Sequence, residues 1–290
     1  MITRKLICCF ALIGMVIPAG YGFTAHAADK KTEEPEANQE WTSQSKAFKG
    51  KKDWKALKSL SEEELKVFIE SPVEWRNFGI ACSNLQDINC AIRVYSWFAS
   101  IRTESEVVWS RLGSLYRQAG QLDNALKAYQ KALGVNKNSV RNWNHLGFVH
   151  NELRQYKHAT QAYQAALSID PKYANAWFNL GIAYNNMRQY DKAISAFNEA
   201  TKSENMGAVW SHVGYSYLAL KRYADAINAY EAAVQVAPDD SDAWYNLGIA
   251  YAQAGRVDMA MRTYLSIKKR KPKLAGNFYR KIIVPLRELH

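Results

Sequence analysis

The sequence has few of the residues and motifs on which most enzymes depend. It contains four cysteines and six histidines in 290 residues. It has no His-Glu-x-x-His, Gly-x-Ser-x-Gly, phosphate-loop or Cys-x-x-Cys motif. His145 and His150 are five residues apart and would face different ways on a helix, so they do not predict a metal site. We therefore expect no enzymatic activity, no metal, no cofactor and no small-molecule substrate.

Proline and glycine are also scarce, at 7 and 15 residues, which excludes a collagen-like or proline-rich chain. Hydrophobic residues make up 48% and charged residues 22%, a balance that excludes wholesale disorder. Lysine and arginine outnumber the acids by 38 to 27, which gives a net charge of +11. The composition is that of a basic globular protein of about two domains.

A long uncharged apolar run occurs once, at Leu6–Phe23, and no later stretch is apolar enough to cross a bilayer. Arg4 and Lys5 precede the run, and the small-x-small sequence Ala25–Ala27 follows it. This order predicts a secretory signal peptide over residues 1–27, cleaved after Ala27. The alternative is an uncleaved membrane anchor. Export places the mature chain in the periplasm or outside the cell, with a bacterial envelope as the expected setting.

Cleavage changes the cysteine and charge balance. Cys82 and Cys90 are the cysteines that remain, and an oxidising compartment favours a disulfide between them. Two free thiols in the core are the alternative. The net charge falls from +11 to +9 because Arg4 and Lys5 leave with no acid. Residues 28–52 are polar and mixed in charge, which predicts a flexible linker. Residues 53–71 show helical apolar spacing, with a capping box that begins at Ser61.

A repeat dominates the rest of the chain. Tryptophan recurs at steps of 34, 34, 34, 33 and 34 residues, at positions 75, 109, 143, 177, 210 and 244. Each Trp is followed by an apolar residue after three positions, Gly after four, Ala after sixteen and an aromatic after twenty. The offsets place one apolar face on each of two antiparallel helices, with Gly and Ala at their closest approach. The spacing predicts an all-α solenoid.

The pattern Trp-x-x-Leu-Gly-x-x-Tyr, with the later Ala, aromatic and closing Pro, resembles the tetratricopeptide repeat (TPR) family. The resemblance implies a superhelical solenoid of six helix-turn-helix repeats over residues 72–274. Its copies are 72–105, 106–139, 140–173, 174–206, 207–240 and 241–274. Residues 275–290 are predicted as a terminal capping helix with a kink at Pro285.

In the family that this chain resembles, the first helices line a concave groove. The resemblance implies that the residue two positions after each Trp points into it, at Asn77, Arg111, His145, Asn179, His212 and Asn246. Carboxamides pair with a peptide N–H and C=O together, which suits an extended peptide of loose sequence. The alternative is that these side chains only solvate the groove or pack. Ile80 stands where the carboxylate clamp of chaperone-binding members would need Asn.

Positive charge is concentrated at the C-terminal end, where residues 259–290 contain nine bases and one acid. The densest part lies in the last connection, at Lys268, Lys269, Arg270, Lys271 and Lys273. Such a cluster attracts an anionic membrane surface or an acidic partner, and a solvated terminal face is the alternative. Export disfavours nucleic acid as a partner.

Three functional hypotheses follow. The first is a protein-interaction scaffold of the cell envelope that binds a peptide or protein in the groove. The second is a membrane-surface adaptor that docks by its basic end. The third is a non-catalytic subunit of an envelope enzyme or assembly complex.

Overall fold

The computed structural model describes residues 79–80, 82, 86–202 and 207–287. Within these ranges the regular secondary structure is helical, with no β-strand, so the prediction of an all-α fold is confirmed. The predicted signal peptide, linker and N-terminal helices lie outside the described residues. The chain divides into two compact units between Asp170 and Pro171.

The first unit contains five described helices that pack in chain order. They are α1 (Ile88–Ile101), α2 (Glu106–Gln118), α3 (Leu122–Val135), α4 (Val140–Glu152) and α5 (Tyr156–Ile169). Helix α1 is the second helix of the first repeat, and the next two pairs form the second and third repeats. Asp87 begins α1 by accepting a hydrogen bond from the Cys90 N–H at 2.9 Å.

The second unit contains three further pairs and a C-terminal extension. The pairs are α6 (Ala174–Asn186) with α7 (Tyr190–Thr201), α8 (Gly207–Ala219) with α9 (Tyr223–Val236), and α10 (Ser241–Gln253) with α11 (Val257–Arg270). The Asp240 side chain begins α10 by accepting from the backbone N–H groups of Asp242 and Ala243, at 2.9 and 3.1 Å.

A left-handed residue joins the two helices of every repeat, eleven positions after the Trp. These residues are Gln86, Gly120, Arg154, Arg188, Lys221 and Gly255, with φ between 58° and 74°. The next N–H donates to the carbonyl five residues back, as from Gln155 to His150 at 2.8 Å. This bond satisfies a carbonyl that the end of the first helix leaves unpaired.

Glycine allows the two helices of a repeat to approach each other. A Cβ added to Gly181 would lie 2.5 Å from the Phe197 ring, and one added to Gly147 would lie 2.7 Å from the Tyr163 ring. The side chain closest to the glycine is therefore the aromatic one. The spacing instead predicted that the glycine and the alanine of the repeat meet where the two helices are closest. Both aromatic side chains are completely buried.

Four of the repeat tryptophans also anchor the connection that precedes their helix. The indole N–H of Trp109, Trp143, Trp177 and Trp244 donates at 2.8 Å to the carbonyl six residues earlier. The acceptors are Thr103, Lys137, Pro171 and Pro238. The recurrence of Trp thus has two causes, because the ring packs while its N–H satisfies a loop carbonyl.

The C-terminal extension differs from the single helix that the sequence predicts over 275–290. Helix α12 (Pro272–Phe278) begins three residues earlier, with Pro272 in its first turn. A π-helical turn (Tyr279–Ile283) and α13 (Val284–Arg287) follow. The π turn ends at Ile283, two residues before Pro285, whose ring would clash with the carbonyl four residues back in a regular helix. The wider turn thus lies next to the place where the sequence predicts a kink.

Candidate partner-binding surfaces

The predicted groove residues are described at five of six positions, and we call Arg111, His145, Asn179, His212 and Asn246 the first-helix ladder. Asn77 lies outside the described residues. Arg111 and His145 belong to α2 and α4, and the other three belong to α6, α8 and α10. Four of the five side chains are partly exposed, whereas Asn246 is only 4% exposed. Partner binding by the ladder stays a prediction, and Asn246 offers the least surface for it.

Both ladder histidines pack against an aromatic ring from the preceding second helix. His145 stacks on Tyr129 with ring centroids 5.4 Å apart. His212 stacks on Phe197 at 5.5 Å and meets the edge of Phe178 at 5.4 Å. Burial lowers the pKa of His212 to about 4, so this ring is neutral at neutral pH.

On several first helices a partly exposed apolar residue lies five positions after the Trp, three residues beyond the ladder position, and we call these residues the apolar stripe. It includes Phe148 on α4, Ile182 on α6 and Tyr215 on α8, while Ile249 on α10 is buried. Tyr215 meets Tyr190 edge to face at 6.3 Å, and burial raises its pKa. Tyrosine provides contact area and a hydroxyl group together, as protein-binding surfaces commonly require.

Two polar residues behind the stripe join first helices instead of facing a ligand. The Ser216 hydroxyl on α8 lies 2.8 Å from Oδ1 of Asn185 on α6. Asn185 is 8% exposed, and its Nδ2 is buried without a hydrogen-bond partner in the described structure. Asn185 lies eight positions after its Trp, and its contacts are those of helix packing.

The first unit carries a charged cluster on its first helices. The Arg117 guanidinium on α2 lies over the Phe148 ring of α4, 4.9 Å from its centroid. Burial raises the pKa of Glu152, and the nearby Arg117 partly opposes that rise. Burial likewise raises the pKa of Tyr129 to about 12, with Arg117 again opposing. Periodicity alone could not predict this contact, since a cation–π pair depends on the residue that the facing helix presents.

The basic cluster is fully described and exposed, and we call Lys268, Lys269, Arg270, Lys271 and Lys273 the basic end surface. Its first three residues form the last turn of α11, where the helix dipole favours cations, so their predicted place in the connection is wrong. Arg270 lies 3.6 Å from Asp239 and 5.7 Å from the Trp244 ring centroid. Leu265, 52% exposed, lies on the same helix.

Cys82 and Cys90 face each other across the turn of the first repeat. Their Cα atoms are 5.6 Å apart, within the range that a disulfide requires. In the described ranges, no group of three or more His, Cys, Asp or Glu side chains could hold a metal ion. None of the helices described has both the length and the apolar character needed to span a bilayer.

Comparison with known protein families identifies the helix pairs as copies of one known repeat. Tetratricopeptide repeat models match residues 107–139, 140–173, 162–195 and 214–275. No curated protein matches the chain.

Solved structures share the fold at low identity. MamA is 24% identical over 60% of this chain and 95% of that chain, with a TM-score of 0.55. YrrB is 20% identical over 64% of this chain and 97% of its own, with a TM-score of 0.54. PilF of Pseudomonas aeruginosa is 17% identical over 71% of this chain and 96% of its own, with a TM-score of 0.60. At these identities the likeness shows the fold alone, and together with the repeat matches it confirms the TPR solenoid. The chain belongs to the tetratricopeptide repeat family.

Proposed function

We propose that this protein is a non-catalytic scaffold of the cell envelope that binds an extended segment of a partner protein on α6 and α8. The observation that carries the proposal is the partly exposed pair Ile182 and Tyr215, which lies beside Asn179 and His212 on the same helices. Membership of the TPR family supports a role in protein interactions. YrrB is described as a TPR protein with an unusual peptide-binding site, so a fold of this kind accommodates a peptide.

The chemistry of this face favours a neutral, loosely specified segment. Asn179 presents a carboxamide, and His212 is uncharged at neutral pH because burial lowers its pKa to about 4. Ile182 and Tyr215 supply apolar contact, which carries more of the binding free energy than exposed polar contacts do. A partner side chain packed on Tyr215, with its backbone paired to Asn179, satisfies both parts of the surface.

Site-specific photo-crosslinking tests this binding face. A photoreactive phenylalanine at Tyr215 should capture a partner in envelope extract, whereas the same residue at the exposed Gln235 of α9 should not. In titrations with the purified partner, Tyr215→Ala should weaken binding at least about tenfold and Asn179→Ala by about 1–3 kcal/mol. Gln235→Ala is the matched control. Normal binding by both first-helix variants with loss in Gln235→Ala would place the partner on the second helices.

Co-purification of an active enzyme would identify the protein as its non-catalytic subunit.

The basic end surface supports a second candidate function, docking on an anionic membrane. Among the described residues, Lys269, Lys271 and Lys273 make no ion pair, and Leu265 exposes an apolar side chain beside Lys269 and Arg262. Each base near an anionic bilayer contributes about 1 kcal/mol, within a Debye length of about 8 Å. Several bases together with one apolar contact therefore give weak, salt-sensitive attachment.

Vesicle co-sedimentation of the mature protein tests the docking. Vesicles that contain an anionic phospholipid should bind it at low salt and release it at high salt. Changing Lys268, Lys269, Lys271 and Lys273 to Gln should abolish binding. Arg270 stays because it contacts Asp239 and Trp244. The control changes the exposed residues Lys127, Lys131, Lys137 and Lys172 to Gln, which lowers net charge equally. Equal loss in both variants would reduce the effect to net charge.

Export with a cleaved signal peptide and a Cys82–Cys90 disulfide complete the proposal. The apolar run at residues 6–23 with its Ala25–Ala27 site supports cleavage, and the 5.6 Å Cα separation supports the bond. The intact mass of the envelope form should correspond to a chain that begins at Ala28. Thiol labelling of the unfolded, unreduced protein should find no free cysteine, and two labels would contradict the disulfide. A full-length mass would favour a membrane anchor.

A further inference from the structure

Five repeats cover their glycine in the same way. The glycine four positions after the Trp lies against the aromatic ring sixteen residues further along the same repeat. The pairs are Gly79–Tyr95, Gly113–Tyr129, Gly147–Tyr163, Gly181–Phe197 and Gly214–Tyr230. From the second repeat to the fifth, these rings have no exposed surface. The space above the glycine is thus a specific site for one ring.

The sixth repeat fills the same site with a residue from outside the repeat. The closest atoms to Gly248 belong to the Phe278 ring of α12 and the Thr263 hydroxyl, and Phe278 is completely buried. Tyr264, which holds the repeat position of the aromatic, is partly exposed and packs on Tyr279 at 5.1 Å. Two rings therefore suit one space, and Phe278 occupies it.

With Phe278 in this site, the side of α10 that carries Asn246 and Ile249 is also covered. Phe278 also meets Tyr245 edge to face at 5.3 Å. Tyr245, Asn246 and Ile249 are 4%, 4% and 1% exposed. The residues of α6 and α8 that correspond to Ile249 are Ile182 and Tyr215, and both remain partly exposed. The C-terminal segment (Pro272–Arg287) accordingly covers a face that the preceding repeats leave open.

We propose that Phe278 and Tyr264 exchange above Gly248, and that the exchange uncovers a helix-docking site on α10. In the second state Tyr264 takes the position that Tyr230 has in the fifth repeat, and the C-terminal segment leaves. A ring fills the space in both states, so no cavity forms, and this narrows the free-energy gap between them. The uncovered face fits an amphipathic helix with an aromatic residue at the position of Phe278, and this residue displaces Tyr264 from above Gly248 as the helix binds.

Hydrogen exchange on the full mature chain tests the ring exchange without a partner. Tyr264→Ala removes the competing ring, so amide protection over residues 272–287 should rise at least about threefold, even though the Tyr279 contact is lost. Phe278→Ala should lower that protection at least about tenfold and leave α10 and α11 protected, because Tyr264 replaces the missing ring. Lower protection in Tyr264→Ala than in the parent would overturn the proposal. Loss of α10 protection in Phe278→Ala would do the same.

Docking rests on the proposed function as well, and a separate probe distinguishes the two failures. The probe is a synthetic peptide with the sequence of residues 272–287, added to the full-length Phe278→Ala protein. Saturable binding, at least about tenfold tighter than to the parent, is expected because the docking face is open. A peptide with Phe278→Ala is the control and should not bind. If the hydrogen-exchange results are as expected but neither peptide binds, the proposal of a helix-docking site is wrong, whereas the proposal of ring exchange stands.

Discussion

The fifth and sixth repeats share a motif and a unit but pack it differently. Tyr230 is completely buried above Gly214, whereas its counterpart Tyr264 is partly exposed and Phe278 lies above Gly248. The ladder position differs in the same way, since His212 is partly exposed and Asn246 is buried. A repeat motif therefore specifies a site for a ring, while the chain that follows decides which ring fills it. Substitution at matched positions tests this difference.

The largest expected effect comes from filling the two glycine sites. A Cβ at Gly214 would lie 2.9 Å from the Tyr230 ring, which is held inside its own repeat. Gly214→Val should therefore lower the free energy of unfolding by about 3 kcal/mol. Gly248→Val meets the Phe278 ring and the Thr263 hydroxyl of α11, but the ring can leave with the C-terminal segment. Helices α10 and α11 should therefore lose less amide protection than α8 and α9 lose in Gly214→Val. Urea unfolding and hydrogen exchange measure both variants, and equal disruption of the two repeats would contradict the distinction.

Acid should affect the fifth repeat through its ladder histidine. Burial lowers the pKa of His212 from 6.5 to about 4, so the folded state binds a proton more weakly than the unfolded state. Stability is therefore full above pH 6.5 and falls as the pH drops towards 4, by about 2–3 kcal/mol at most. His212→Asn introduces the residue of the sixth repeat and should remove this part of the loss. Urea midpoints at pH 7 and pH 4.5 measure it, and an unchanged difference between them would refute the assignment.

The tryptophan anchor should contribute alike in regular and terminal repeats. Trp177→Phe and Trp244→Phe keep an aromatic ring but remove the indole donor to Pro171 and Pro238. Each change should cost about 1 kcal/mol of unfolding free energy. Trp244→Phe should cost slightly more because Arg270 lies over that ring. Urea midpoints decide it, and an unchanged midpoint for Trp177→Phe would show that solvent replaces the bond.

Sequence periodicity predicted what depends on spacing within one repeat. First helices begin at Glu106, Val140 and Ala174, where the Trp spacing starts each copy. The pattern could not predict which ring lies above Gly248, because Tyr264 satisfies the motif and Phe278 belongs to no complete copy. The position of Phe278, 34 residues after Trp244, was the available indication that the segment replaces a seventh first helix.

The candidate site was predictable to the same extent. Helical offsets identified the face of each first helix, and Asn179 and His212 are partly exposed on theirs. The offsets could not identify which residues of neighbouring repeats these side chains contact. The stacking of His212 on Phe197 and the Asn185–Ser216 bond join residues from different repeats. A period of 34 residues describes similarity between repeats, whereas these contacts depend on the rotation between neighbouring helix pairs.

The smallest expected effect concerns the turn between paired helices, where the two repeats differ by a single residue type. Lys221 holds a φ of 60° in the fifth repeat, and Gly255 holds a φ of 74° in the sixth. A side chain with a Cβ is strained in this region by about 1 kcal/mol, whereas glycine is not. Lys221→Gly should therefore stabilise the fold by about 0.5 kcal/mol, since the greater freedom of the unfolded chain offsets part of the gain. Gly255→Lys should destabilise it by about 0.5 kcal/mol through the same two opposing contributions, and Arg188→Gly, at a φ of 59°, should repeat the gain in the fourth repeat. Urea midpoints measure all three, and a loss of stability in both glycine variants would show that the side chains contribute more by their contacts than they cost by strain.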